Sequence, residues 1–83
     1  MAYEYSTRGT CARKILFDIE DGKVRNVKFI DGCSGNTQGV AALTEGMDVD
    51  EVIARLKGIR CGRKPTSCPD QLAQALEKAK ESI

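Results

Sequence analysis

Apolar side chains recur along this chain in two rhythms, and the change between them divides it. Up to residue 30 the spacing is two. Residues 3–8 alternate and predict a short first strand. Residues 12–20 predict a second, with Ile15, Phe17 and Ile19 on one face. Residues 23–30 predict a third, carrying Val27 and Phe29. Asp21-Gly22 is the turn between the last two. A two-residue loop would pair odd positions with even ones and set Val27 and Phe29 on the face opposite Ile15, Phe17 and Ile19. A three-residue loop with Gly22 in the left-handed conformation keeps odd opposite odd, and is the expectation.

Beyond residue 36 the rhythm becomes helical. Residues 31–36 are rich in turn formers and read as a loop. Asn36 or Thr37 is placed to cap a first helix through Val40, Ala41, Ala42 and Leu43, ending near Gly46. Asp48, with Glu51 three residues on, has the spacing of a capping box. The second helix would then carry Val49, Val52, Ile53 and Leu56 as its apolar stripe and end at Gly58. After a loop over 59–68, Pro69 suits the first turn of a third helix, and Asp70 lies at the positive end of its dipole. Leu72, Leu76, Ala79 and Ile83 share one face of it. Strands followed by helices, without repeat or linker, predict one α+β domain over 1–83: a three-stranded antiparallel sheet with three helices packed on one face.

A domain of 83 residues has little core, and such chains often recruit a staple. Charge is nearly balanced, 13 basic against 12 acidic side chains, which argues against a dedicated nucleic-acid coat or an acidic tail. No stretch is long and apolar enough to cross a membrane, and residues 1–5 lack the basic and apolar regions of a secretory signal. The expectation is a cytosolic (cytoplasmic) protein. There thiols stay reduced, so the four cysteines, Cys11, Cys33, Cys61 and Cys68, read as metal ligands or redox groups before disulfides. The chain has no histidine. That excludes a histidine-driven hydrolytic triad and leaves four thiolates as the natural protein-only set for a soft metal.

The hairpin sets Cys11, just before the second strand, within one or two positions of Cys33, just past the third. Cys61 and Cys68 bracket a loop in which Gly62 and Pro65 suit a turn. Together they make a tetrahedral cage for zinc at a Zn–S distance of about 2.3 Å, and an iron–sulfur cluster accepts the same ligands. Arg13, Arg60, Arg63 and Lys64 lie beside the cysteines and offset thiolate charge. Cys68 sits at a helix start, where free amides favour a thiolate. No tight Cys-x-x-Cys pair is present, so spacing alone leaves three readings open: a metal site, a redox dithiol led by Cys68, and small buried apolar residues.

Other features carry less. Lys57, Arg60, Arg63 and Lys64 could contact a nucleotide, a nucleic acid or a partner protein, but no aromatic residue interleaves with them and charge compensation accounts for them. Gly32-Cys33-Ser34-Gly35-Asn36 lacks the Gly-Lys-Ser/Thr of a phosphate loop and reads as a turn that places Cys33. Asp18, Glu20 and Asp21 are turn charges, and Tyr3 and Tyr5 are edge-strand packing.

Thr66-Ser67-Cys68-Pro69-Asp70, the cysteine after the first strand, the loop at 32–36 and Cys61-Gly62 together resemble the small stand-alone TSCPD-domain proteins, over nearly the whole chain. Related domains close vitamin B12-dependent ribonucleotide reductases. The resemblance implies zinc on Cys11, Cys33, Cys61 and Cys68, and a link to ribonucleoside-diphosphate reductase and DNA synthesis. Ribonucleotide reduction needs a radical-generating cofactor, a buried thiyl cysteine, a reducing pair and a nucleotide pocket, more than a chain of this length encloses. The expectation is therefore an accessory module, non-catalytic alone, that docks on a large reductase subunit or another protein. A thiol-redox relay and an iron–sulfur carrier are the alternatives.

Overall fold

The early alternation folds into three antiparallel strands. The computed structural model describes residues 2–7, 13–31, 34–60 and 66–81. Strands β1 (Ala2–Ser6), β2 (Lys14–Glu20) and β3 (Lys23–Ile30) lie in the order β1-β2-β3, and helices α1 (Ser34–Thr44), α2 (Val49–Leu56) and α3 (Cys68–Glu81) follow. This is the α+β arrangement that the patterns predict. The first two strands are shorter than expected at their junction. The Thr7 amide donates to the Arg13 carbonyl at 3.0 Å, and β2 starts only at Lys14.

The hairpin loop differs from expectation. Glu20 pairs with Lys23, so the loop has two residues, with Asp21 at φ +52° and Gly22 at φ +74°. Both are left-handed, as a type I′ turn requires, and that turn matches the strand twist. The facing problem is solved inside β3 instead. Pairing runs Ile19 to Val24 and Asp18 to Arg25, then steps to Leu16 with Lys28 and Ile15 with Phe29. Phe17 alone therefore spans the two residues Asn26 and Val27, a β-bulge. Asn26 takes φ +54°, its amide donates to Glu45 Oε1 at 2.8 Å, and its side chain donates to Asp18 Oδ2 at 2.8 Å. The bulge lets Val24 reach the core before it and Val27 and Phe29 after it. Val24 is fully buried, and its three-residue gap to Val27 is the pattern that marks the bulge.

Two helix starts also differ. α1 begins at Ser34, so residues 34–36 are helical and Asn36 and Thr37 do not cap it. Thr37 lies buried on its inner side. The Asp48–Glu51 capping box does not form: Asp48 makes no side-chain cap bond. Its backbone bridges Lys23, and its carboxylate pairs with the Lys23 ammonium at 3.5 Å, while Glu51 pairs with Arg55 at 3.0 Å. The chain before α2 runs as an extra rung along β3. Gly46, at φ +79°, donates its amide to Val24 O at 2.7 Å, and the Val24 amide donates to Met47 O at 2.8 Å. This segment covers part of an edge strand that would otherwise present free amides.

Ile15, Phe17, Ile19 and Val24 from the sheet meet Val49 and Val52 of α2 and Leu72, Ala75, Leu76 and Ala79 of α3 in one core cluster. Ile53 and Leu56 pack at its margin. Ile83 lies outside the described residues. Tyr3 stacks on Phe17 with ring centroids 5.3 Å apart, the edge packing expected of it.

Two stability outcomes follow from this packing. Leu76→Ala removes a fully buried side chain and should cost about 2–5 kcal/mol in denaturant unfolding. Asn26→Val and Asn26→Gly lose the same side-chain bond, but only valine meets the positive φ. Asn26→Val should be at least ~1 kcal/mol less stable than Asn26→Gly; equal stabilities would contradict the bulge conformation.

Candidate functional site

The start of α3 is built around a buried carboxylate. Ser67 precedes the helix, and its hydroxyl oxygen accepts the Asp70 amide at 3.1 Å, satisfying one of the donors a helix start leaves open. Pro69 occupies the first turn, where no amide is needed. Asp70 is only 5% exposed. Its Oδ1 accepts the Gly58 amide at 2.7 Å; its Oδ2 accepts the Thr66 hydroxyl, and the Gln74 side-chain amide at 2.8 Å. Thr66 in turn accepts from the Gln71 side chain at 3.0 Å. Ser67 donates to the Ile59 carbonyl at 2.7 Å. Among the described residues, no buried side-chain nitrogen or oxygen lacks a partner.

These bonds tie the exit of α2 to the start of α3. Gly58, at φ +90°, turns the chain out of α2 and offers its amide to Asp70. The sequence reading placed Asp70 by the dipole alone and missed Thr66, Ser67 and the tether. The signal was present: Ser67 and Asp70 have the Ser-x-x-Asp spacing of a capping box. Burial by itself raises the Asp70 pKa. The hydrogen bonds from Thr66, Gly58 and Gln74, with the nearby Lys57 charge, outweigh it and hold the carboxyl below the ordinary aspartate value.

α3 has a definite direction over the sheet. Lys80, near its C-terminus, lines one cleft with Ile19, Asp21 and Gly22 at the hairpin turn. Ala75 and Ala79 line another with Tyr3, Tyr5 and Phe17. Twelve residues of helix, about 18 Å, separate Lys80 from Cys68. The C-terminal half of α3 thus lies over the hairpin turn and over β1 and β2, and Cys68 stands at the helix's other end.

Of the four candidate cysteines, only Cys68 is described. It is the first residue of α3 and is 7% exposed. Cys11, Cys33 and Cys61 lie outside the described residues, as do Arg63 and Lys64. Arg60 is described and exposed, and Arg13 pairs with Asp31 at 2.5 Å. Along the chain, Cys11 stands three residues before Lys14, Cys33 three after Ile30, and Cys61 two after Ile59. Three residues span at most about 11 Å. Among the described residues, no group of three or more Cys, Asp or Glu side chains is placed to hold a metal, and no helix is long and apolar enough to cross a membrane.

Comparison with known families finds the model of the TSCPD domain matching residues 1–80. No curated protein and no solved structure matches the chain.

The lowered Asp70 pKa carries a pH dependence with a definite sign. A carboxyl held below its unfolded value, about 3.9, contributes stability above that pH and loses it as pH falls through the folded value. At neutral pH Asp70→Asn should cost about 2 kcal/mol in urea unfolding. The gap to the parent protein should narrow below about pH 4. A gap that stays constant into acid would contradict an ionised, hydrogen-bonded Asp70.

Proposed function

This chain belongs to the TSCPD domain family, and we propose that it is an accessory module holding one zinc ion on the thiolates of Cys11, Cys33, Cys61 and Cys68. One observation carries the reading: the direction of α3. Lys80 lies at the hairpin turn, so a helix running back from it along the sheet would carry Cys68 toward the end where β2 begins and β3 finishes, next in sequence to Cys11 and Cys33. The bonds from Gly58 and Ile59 to the start of α3 supply the fourth approach, because Cys61 follows Ile59 by two residues. The donor chemistry fits: four thiols and no histidine suit tetrahedral zinc and leave it no open position for water. Bound zinc would supply cross-linking energy to a small domain rather than catalysis.

Family kinship suggests where such a module works. A large ribonucleoside-diphosphate reductase subunit, in the supply of deoxynucleotides for DNA synthesis, is the proposed partner. Arg60, exposed at the exit of α2, together with Arg63 and Lys64, would contact that partner or nucleotide phosphate. The near-burial of Cys68 favours a structural ligand over an attacking redox thiol.

Protein purified without air should contain one zinc per chain, and Cys11→Ser or Cys68→Ser should each release it and lower the melting temperature. Iron with sulfide would support a cluster instead. Metal-free protein with a dithiol that thioredoxin reduces would support a relay. Co-purification with a large reductase subunit, weakened by Arg60→Glu, is the partner test; no enrichment over an unrelated protein would remove that assignment.

A further inference from the structure

Helix α1 buries two threonines and exposes its largest apolar side chain. Thr37 and Thr44 are 7% and 4% exposed, while Leu43 is 77% exposed. The Thr44 hydroxyl is satisfied by donating to the Val40 carbonyl at 2.8 Å. Val40 and Ala41 are half-buried on the same inner side, and Gln38, Gly39, Ala42 and Leu43 form the outer one. No residue from Ser34 to Thr44 is charged, in a chain where 30% of residues are. A helix without a charged face is ordinarily covered on both sides. Gly39 is a second anomaly. It lies in the helix interior, where glycine costs about 1 kcal/mol relative to alanine. A Cβ built on it would meet nothing beyond its own helix within 4 Å, so packing among the described residues does not call for it.

The outer face is complementary to itself. Leu43 projects from it, and Gly39, one turn earlier on the same side, leaves a recess that suits a projecting side chain. Reversing a second helix over the first brings each projection onto the other's recess, the isologous pattern of a two-fold dimer. Electrostatics favours the same direction. α1 has no acidic residue in its first turn and no basic one in its last. Neither end of its dipole is offset by its own side chains, and an antiparallel neighbour offsets both. The nearest acid, Glu45, is neutralised by Arg25 at 3.3 Å.

We propose that α1 is the self-association surface of this protein: two copies pack antiparallel across a two-fold axis level with Ala41, each Leu43 seated on the partner's Gly39. The surface is independent of the four-thiolate reading. Its 11 residues span about 16 Å, a small patch beside a standard interface, so the dimer is reversible.

Sedimentation velocity on the full reduced chain, from micromolar to millimolar concentration, should show a monomer–dimer equilibrium. Leu43→Lys should weaken it at least about tenfold, since one leucine per copy leaves the interface. Gly39→Leu adds apolar area but fills the recess. It should also weaken the dimer, while raising the melting temperature of the monomer. Ile59→Lys, at the other large exposed apolar side chain, should leave the dimer unchanged. Mixing reads the orientation. Gly39→Glu and Leu43→Lys chains should pair with each other more tightly than either does with itself, because antiparallel packing sets position 39 opposite position 43. A monomer at every concentration would overturn the proposal and leave the face to a different protein. So would a dimer indifferent to Leu43→Lys or strengthened by Gly39→Leu. Mixed chains without preference would overturn the antiparallel pairing.

Discussion

A single buried carboxylate holds the helical half of this protein in place. Asp70 sits in the first turn of the most buried helix, yet its carboxyl is held below the ordinary aspartate value because donors from Thr66, Gly58 and Gln74 and the nearby Lys57 charge outweigh its burial. Burying an unpaired carboxylate would cost several kcal/mol. Fully solvated by protein donors, it becomes directional instead. It ties the exit of α2, through the Gly58 amide, to the first turn of α3. The apolar face of α3, Leu72, Ala75, Leu76 and Ala79, is aimed at the sheet from that anchor.

The sheet meets a different constraint. One face must gather every apolar side chain a short chain can offer, while the tight Asp21-Gly22 turn imposes an odd–even register. The bulge at Asn26 reconciles the two at the cost of one left-handed residue, and Asn26 tolerates that conformation better than most. The other sheet face is largely polar around Leu16 and Ile30, with Lys14 paired to Glu4 at 2.7 Å. The outer edge of β3 is partly closed by residues 45–48. The bulge and the edge cover are one device, because the amide that Asn26 turns outward is taken by Glu45.

Each arrangement brings two chain ends together. The strand register delivers the ends of β2 and β3 together, and the Asp70 anchor delivers the start of α3 and the exit of α2. In the proposed function a metal would staple these two junctions to each other. A four-thiolate site in so small a domain would then add stability, and would leave the exposed Arg60 for a partner. The TSCPD pentapeptide acquires a physical meaning residue by residue. Thr66 donates to the carboxylate, Ser67 caps the helix, Pro69 fits its first turn and Asp70 ties it to α2, while Cys68 lies buried as the first residue of the helix.

Period-two and period-three-to-four spacing of apolar residues determined the element order, the third strand, the stripes of α2 and α3 and the α+β class, because those depend only on which face of each local element is apolar. The cysteine count and the absence of histidine likewise determined the chemistry any soft-metal site here must use. Tertiary structure decided the rest. The two-residue turn with a bulge won over a longer loop because a turn matched to strand twist, plus an outward amide claimed by Glu45, satisfies more backbone groups. The Asp48 carboxylate makes no cap bond and pairs instead with Lys23 of a neighbouring strand, while at α3 the Ser67 hydroxyl caps the Asp70 amide and the Asp70 carboxylate turns to Gly58, Thr66 and Gln74. The tether from Gly58 to Asp70 joins residues twelve apart, and no local pattern announces such a bond: its energy exists only once α2 and α3 are packed and water is excluded between them.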